Sequence, residues 1–113
     1  MNNETIRRGD LYWADPPAIG KHRFLVVQND TFNIHFNETV VVPVISKKRK
    51  ETRDWEVETP EGTFPKPSII NCSAIITIKK TELRDFIGTL DDKIMQGVDY
   101  ALSVTLGLEF WLQ

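Results

Sequence analysis

Short apolar runs separated by turn-forming residues fill the first two-thirds of the chain, and they predict strands. Leu11 to Ala14 is apolar and aromatic, bounded by Gly9-Asp10 and by Asp15-Pro16-Pro17. Phe24 to Val27 (FLVV) is unbroken, as in a strand buried on both faces, and it stops at Gln28-Asn29-Asp30. Thr39 to Ile45 (TVVVPVI) is strongly β-branched, a composition that suits a pleated surface. Pro43 within it cannot donate to a ladder, so a bulge or a segment end is expected there. Lys47 to Arg53 is polar and charged and predicts a loop. Trp55 to Thr59 (WEVET) alternates like a half-exposed strand, and Pro60-Glu61-Gly62 supplies a turn to close a hairpin. Ser68 to Asn71 and Ala74 to Ile78 complete the strands.

The period changes in the last third. Thr81 is placed to cap a short helical turn, since its hydroxyl can accept from an unpaired first-turn N–H. Thr89 followed by Asp92 has the spacing of a capping box, with aspartate in place of glutamate. Ile94, Val98, Ala101, Leu102 and Thr105 then recur at helical spacing, and Asp91 and Asp92 suit the positive end of a helix dipole. The pattern predicts one amphipathic helix over 91–106, ending near Gly107. Short strands followed by a terminal helix predict an α+β fold, a small barrel with a helix packed on it.

Size and charge narrow the function. The 113 residues suit a single domain over 1–113, and the 41% hydrophobic content supports a real core. Only about two-thirds of the unfolded surface is buried at this size, so self-association would add useful core. The formal net charge of −2 makes the whole chain no basic clamp for nucleic acid, and positive charge for RNA must be local. One cysteine, Cys72, allows no internal disulfide and makes a reducing cytoplasm the default expectation. No apolar stretch approaches the roughly 18 residues of a membrane span. The opening MNNETIRRGD lacks the apolar core of a secretory signal.

Most catalytic signatures are missing. The two histidines, His22 and His35, and the single cysteine form no metal-ligand spacing, and no metal or cofactor is expected. There is no glycine-rich phosphate loop and no nucleophile elbow. Cys72 lies in an apolar strand and reads as a small core residue. What remains is a set of polar residues at strand edges. Arg23 opens the second strand, Ser46 closes the third, and Lys47-Lys48-Arg49-Lys50 follows at once. Each alone has an ordinary reading, as a surface charge, a turn residue or a solvated loop. Together they are candidates for phosphate contact.

Four segments, in order, carry a family resemblance. IRRGDLYWAD, HRFLVVQND, TVVVPVIS and PSIINCSAIITIKKTELRDFIGTLDDKIMQGVDYAL span nearly the whole chain. They resemble the opening signature, second strand, third strand and closing region of the MazF/PemK toxins. The resemblance implies an SH3-like antiparallel β-barrel with a short helix and a C-terminal amphipathic helix. It implies a homodimeric endoribonuclease that cuts single-stranded RNA at short sequence motifs without a metal, held in check by an antitoxin peptide. Such a reaction suits RNA, which carries its own nucleophile, the 2′-OH, beside the phosphorus.

The resemblance also assigns candidate residues. Ser46 falls without a gap on the family's hydroxyl that hydrogen-bonds the phosphate. The family's arginine, which stabilises charge and handles protons, falls on His22 when counted back from Gln28 without a gap, and on Arg23 if one residue is deleted. Arg23 is preferred, because a fixed guanidinium suits a doubly charged phosphorane. His22 then stands nearby as a candidate proton carrier and RNA contact, with Lys21, Lys47, Lys48 and Ser73. Two departures stand out. The loop from Asp15 to Arg23 is shorter than is usual, which affects base choice. The family's acidic or amide pair falls on Ser73 and Ala74, which removes a base contact. A CcdB-like toxin that binds gyrase without chemistry, and an inactive homologue that keeps only the antitoxin groove, are the alternatives. A gyrase poison relies on the end of its C-terminal helix, where Phe110-Trp111-Leu112 is unusually apolar, and those residues also suit a homodimer interface.

Overall fold

A computed structural model describes residues 6–108. Seven strands form one antiparallel sheet in the order β4-β5-β3-β2-β1-β7, with β6 paired to β3 off that path. They are β1 (Asp10–Ala14), β2 (His22–Val26), β3 (Glu38–Ser46), β4 (Glu56–Glu58), β5 (Ser68–Asn71), β6 (Ile76–Lys79) and β7 (Leu83–Thr89). Two helices, α1 (Asp30–His35) and α2 (Asp92–Leu106), complete the α+β fold. The sheet runs from β4 at one end to β7 at the other without closing, so the barrel is open. Among the described residues no helix is long and apolar enough to cross a membrane.

The sheet curls because one strand serves three partners. β3 is nine residues long. One of its edges pairs along β2. The other is shared, with β6 on Glu38–Val41 and β5 on Val44–Ser46. Pro43 produces neither the bulge nor the segment end that its residue type suggests; it pairs in register with Phe24 inside the strand. The Val40 carbonyl accepts from the Val27 N–H, 2.9 Å. Alternation along the strand then turns Pro43 toward the other edge. There it falls between the last β6 partner, Val41, and the first β5 partner, Val44, where no ladder needs a donor.

Alternation also splits the core in two. Leu11, Leu25, Val42, Val44 and Ile70 pack with Met95, Val98 and Ala101 of α2. Tyr12, Phe24, Val26, Val41, Ile78 and Leu83, which alternate with them along the strands, form a second cluster on the opposite face. Phe24, Leu25 and Val26 are all fully buried, as an uninterrupted apolar run requires. α2 ends where glycine allows it, with Gly107 in the left-handed region at φ 71°.

Several local expectations are corrected. α2 is capped by Asp91, whose carboxylate accepts from the Ile94 N–H. Thr89 instead ends β7 and donates its hydroxyl to Asp10, 2.8 Å. Thr81 lies inside a 3₁₀ turn (Lys80–Glu82), where Glu82 accepts from the Lys79 N–H. The helix α1 has no counterpart in the strand-and-loop reading. It is capped by Asn29, which accepts from the Phe32 N–H. Its buried Asn33 bonds Gln28 and Thr39. The strand β7 likewise has no counterpart in the residue pattern, yet it pairs with β1 over much of that strand.

Candidate functional site

Register decides which polar residues share a surface. In an antiparallel pair, directly opposed side chains point to the same face. Arg23 lies opposite Trp13 on β1 and Val44 on β3. Val44 and Ser46 are two apart, so they share that face, and Ser46 lies opposite Ser68 on β5. Arg23, Trp13, Ser46 and Ser68 therefore converge at the open end of β2, β3 and β5. The Arg23 Nη2 donates to the Ser68 Oγ at 3.4 Å. To reach it from β2, the Arg23 side chain crosses β3 on the Val44–Ser46 side.

The guanidinium has aromatic neighbours and, among the described residues, no carboxylate in an ion pair with it. Its Cζ lies 4.2 Å from the centre of the Phe64 ring and 5.9 Å from that of Trp13. Partial burial lowers its pKa from the ordinary value. Ser68 is fully buried; its hydroxyl donates to the Lys66 carbonyl, 3.0 Å, which leaves its oxygen to accept from Arg23. Ser46 is exposed at the end of β3. A cation with free N–H groups beside an exposed hydroxyl suits an anionic group arriving from solvent.

The remaining candidates divide. Lys21 is exposed at the rim, with its Nζ 5.2 Å from the centre of the Trp13 ring. Lys47 follows Ser46, but its Nζ bonds Glu58 at 3.0 Å. Lys48 is exposed beside it. Arg49 makes two 2.8 Å bonds to Glu56, whose side chain is only 7% exposed, and the Arg53 N–H adds a third. The basic stretch is thus tethered to β4 at two points.

His22 and Ser73 do not join the group. His22 alternates with Arg23 and so faces the other side of the sheet. There its ring lies 6.1 Å from that of Phe24, and its Nδ1 is 3.2 Å from the Gly20 carbonyl. Ser73 lies beyond the far end of β5 from Ser68, in a turn where its hydroxyl and N–H both bond the Asn71 side chain. Trp13, Phe64 and Ser68 escape a reading of the sequence because each looks like ordinary strand or turn material. Phe64 in particular carries no signal without the loop that brings it to Arg23.

Cys72 sits outside the site. It is fully buried, and burial pushes its thiol up to about 12, a rise only partly opposed by the Arg8 charge. Among the described residues, no group of three histidine, cysteine or acidic side chains is placed to hold a metal ion. The apolar Phe110-Trp111-Leu112 end lies outside the described residues.

Comparison with known proteins adds the relatives. The family described as PemK-like, MazF-like toxin of type II toxin–antitoxin system matches residues 7–106. The chain is similar to Endoribonuclease EndoA of Bacillus subtilis, 37% identical over 91% of this chain and 96% of that one. Endoribonuclease MazF6 of Mycobacterium tuberculosis is 34% identical, over 92% and 99%. A solved mycobacterial endoribonuclease in complex with its cognate antitoxin matches with a TM-score of 0.82 at 28% identity, covering 94% of this chain and 99% of that chain.

Proposed function

This chain belongs to the PemK-like, MazF-like family and is an endoribonuclease toxin of a type II toxin–antitoxin system; we propose that it cuts single-stranded RNA at selected sequences, without a metal, at the strand-edge group around Arg23 and Ser46. The observation that carries this assignment of the site is the shared face of Arg23 and Ser46, with the guanidinium free of any ion pair among the described residues. The naming of the relatives as endoribonucleases favours an enzyme over a toxin that only binds a protein.

The chemistry follows from what RNA and these residues each supply. The 2′-oxygen bonds to phosphorus as the P–O5′ bond breaks. The 2′-hydroxyl loses its proton and O5′ gains one, leaving a 2′,3′-cyclic phosphate and a 5′-hydroxyl. Arg23 pairs with the non-bridging oxygens as their charge grows, and Ser46 donates to one of them. Lys21 and Lys48 lie where the flanking backbone passes, and their contribution is electrostatic. The shorter 15–23 loop and the distant Ser73 leave base choice to other groups than the family's usual ones.

The working form is a homodimer in the cytoplasm, neutralised when a disordered antitoxin tail folds onto it. Phe32, Ile34 and Phe36, on and just after α1, are exposed, and the Phe32 and Phe36 rings stack on each other, a local apolar patch that supports a covered surface in the assembly. The test is digestion of total RNA in EDTA, with the ends mapped. Wild-type protein should cut and Arg23→Ala should not. Complete loss of cutting in chelator, restored by a divalent ion, would refute the metal-free route.

A further inference from the structure

We infer that Phe64 is a positioning residue for Arg23, gripping one flat face of the guanidinium so that its N–H edge stays open to the phosphate. The inference rests on the reading above, in which Arg23 meets the reacting phosphate.

A long arginine side chain loses its catalytic value if its plane wanders. The hydrogen bond to Ser68, at 3.4 Å, is near the long limit and fixes one nitrogen without fixing the plane. A carboxylate can fix an arginine's plane through paired N–H bonds. A carboxylate here would consume two N–H groups and neutralise the charge the transition state needs. An aromatic ring avoids both costs, because it meets the face of the cation and leaves the edge free. The Phe64 ring stands at 4.2 Å, in contact, whereas Trp13 at 5.9 Å is a looser second wall.

The ring is itself held. It sits in the loop between β4 and β5, which carries Pro60, Pro65 and Pro67, each with φ fixed by its own ring. Thr59 donates both its N–H and its hydroxyl to the Ser68 carbonyl, at 3.0 and 3.1 Å. Thr63 N–H bonds the Pro60 carbonyl at 3.1 Å, and Lys47 N–H bonds the Pro67 carbonyl at 2.9 Å. Ser68 thus anchors the loop through its carbonyl and meets Arg23 through its hydroxyl. The ring and the hydroxyl approach the guanidinium as parts of one braced unit, and the Lys47 bond ties that unit to the residue after Ser46.

The test uses a short fluorogenic RNA bearing a site mapped from the wild-type digest, with wild type, Arg23→Ala, Phe64→Leu, Phe64→Met and Phe64→Tyr compared. Both aliphatic variants should lower kcat about tenfold with KM changed by no more than about twofold, because the loss is in orientation rather than in binding. Phe64→Tyr restores the flat ring and should recover most of the lost rate. Thermal melting of each variant separates this from a folding defect, and if Phe64→Leu does not fold, Phe64→Met and Phe64→Tyr carry the comparison. An aliphatic variant with wild-type kcat, a loss confined to KM, or a tyrosine variant as slow as the aliphatic ones would overturn the inference. Arg23→Ala dead beside a fully active Phe64→Leu overturns only the role of Phe64. Arg23→Ala at the wild-type rate, or a wild type that leaves RNA intact, overturns the reading it rests on as well.

Discussion

Arg23 and His22 are neighbours in sequence and point to opposite sides of the sheet. The ungapped count of residues favours His22, yet the face that carries Ser46 and Ser68 carries Arg23. The two assignments differ in their response to pH. A catalytic imidazole must change its charge to carry a proton, whereas a guanidinium stays charged. Arg23→Ala should therefore abolish cleavage and His22→Ala should keep most of it, with a wild-type rate that shows no bend at neutral pH. A bend there, together with a dead His22→Ala, would return the role to the histidine. Ser46→Ala should slow the reaction by the worth of a hydrogen bond to a charged group, about 1–3 kcal/mol of barrier. Cys72 gives a second pH signature. Its folded-state pKa, pushed up to about 12, lies above that of an unfolded thiol. The protonated thiol thus favours the fold fully below the unfolded value, about 8.5, and the advantage is lost as pH rises toward 12. Urea midpoints of the wild type should fall more steeply above pH 9 than those of Cys72→Ala, and equal slopes would show that the burial argument fails.

Elements are legible in proportion to how much of their stability comes from patterning along their own residues. β2, β3 and α2 are strong in this respect, and their positions follow from FLVV, TVVVPVI and the helical spacing of Ile94, Val98 and Ala101. α1 is only six residues long and depends on tertiary bonds, with Asn33 buried against Gln28 and Thr39, so little in DTFNIH announces it. β7 is hidden because its pattern is mostly exposed and its order comes from pairing with β1. The same contrast separates the site residues. Arg23 and Ser46 become candidates through a resemblance and strand-edge placement, while Phe64 and Ser68 join the candidate group only with the β4–β5 loop in place. The basic loop gives a prediction at this scale. Its polar composition suggests a freely solvated loop, but Arg49 and Lys47 are tied to Glu56 and Glu58. Glu56→Gln should cost about 1–3 kcal/mol in urea unfolding, since a nearly buried carboxylate accepts three bonds there. Lys48→Glu should leave stability alone and flatten the salt dependence of RNA binding by about 0.7 in log–log slope for each phosphate no longer neutralised. An unchanged slope would reduce Lys48 to a solvated side chain.

In the whole molecule, the question is whether a catalytic group belongs to one chain or is shared between two. A two-fold dimer places two sites symmetrically, and each can be built within a protomer or across the interface. The geometry of a single chain already brings Arg23 over β3 to Ser68, which is paired with Ser46. One chain therefore places the cation and the Ser46 hydroxyl on one face, with Ser68 between them. Mixed dimers test this. When Arg23→Ala and Ser46→Ala chains are unfolded together and refolded, half of the dimers should contain one of each. If Arg23 works with Ser46 of its own chain, every site in such a dimer lacks one partner. The mixture should then cleave at no more than the mean of the two variants alone. If Arg23 instead worked with Ser46 of the other chain, each mixed dimer would hold one doubly damaged site and one intact site. Activity would then reappear on mixing, and its reappearance would refute a site built within one chain. Light scattering at micromolar concentration must show a dimer for the experiment to have its meaning, and a monomer there would refute the proposed assembly directly.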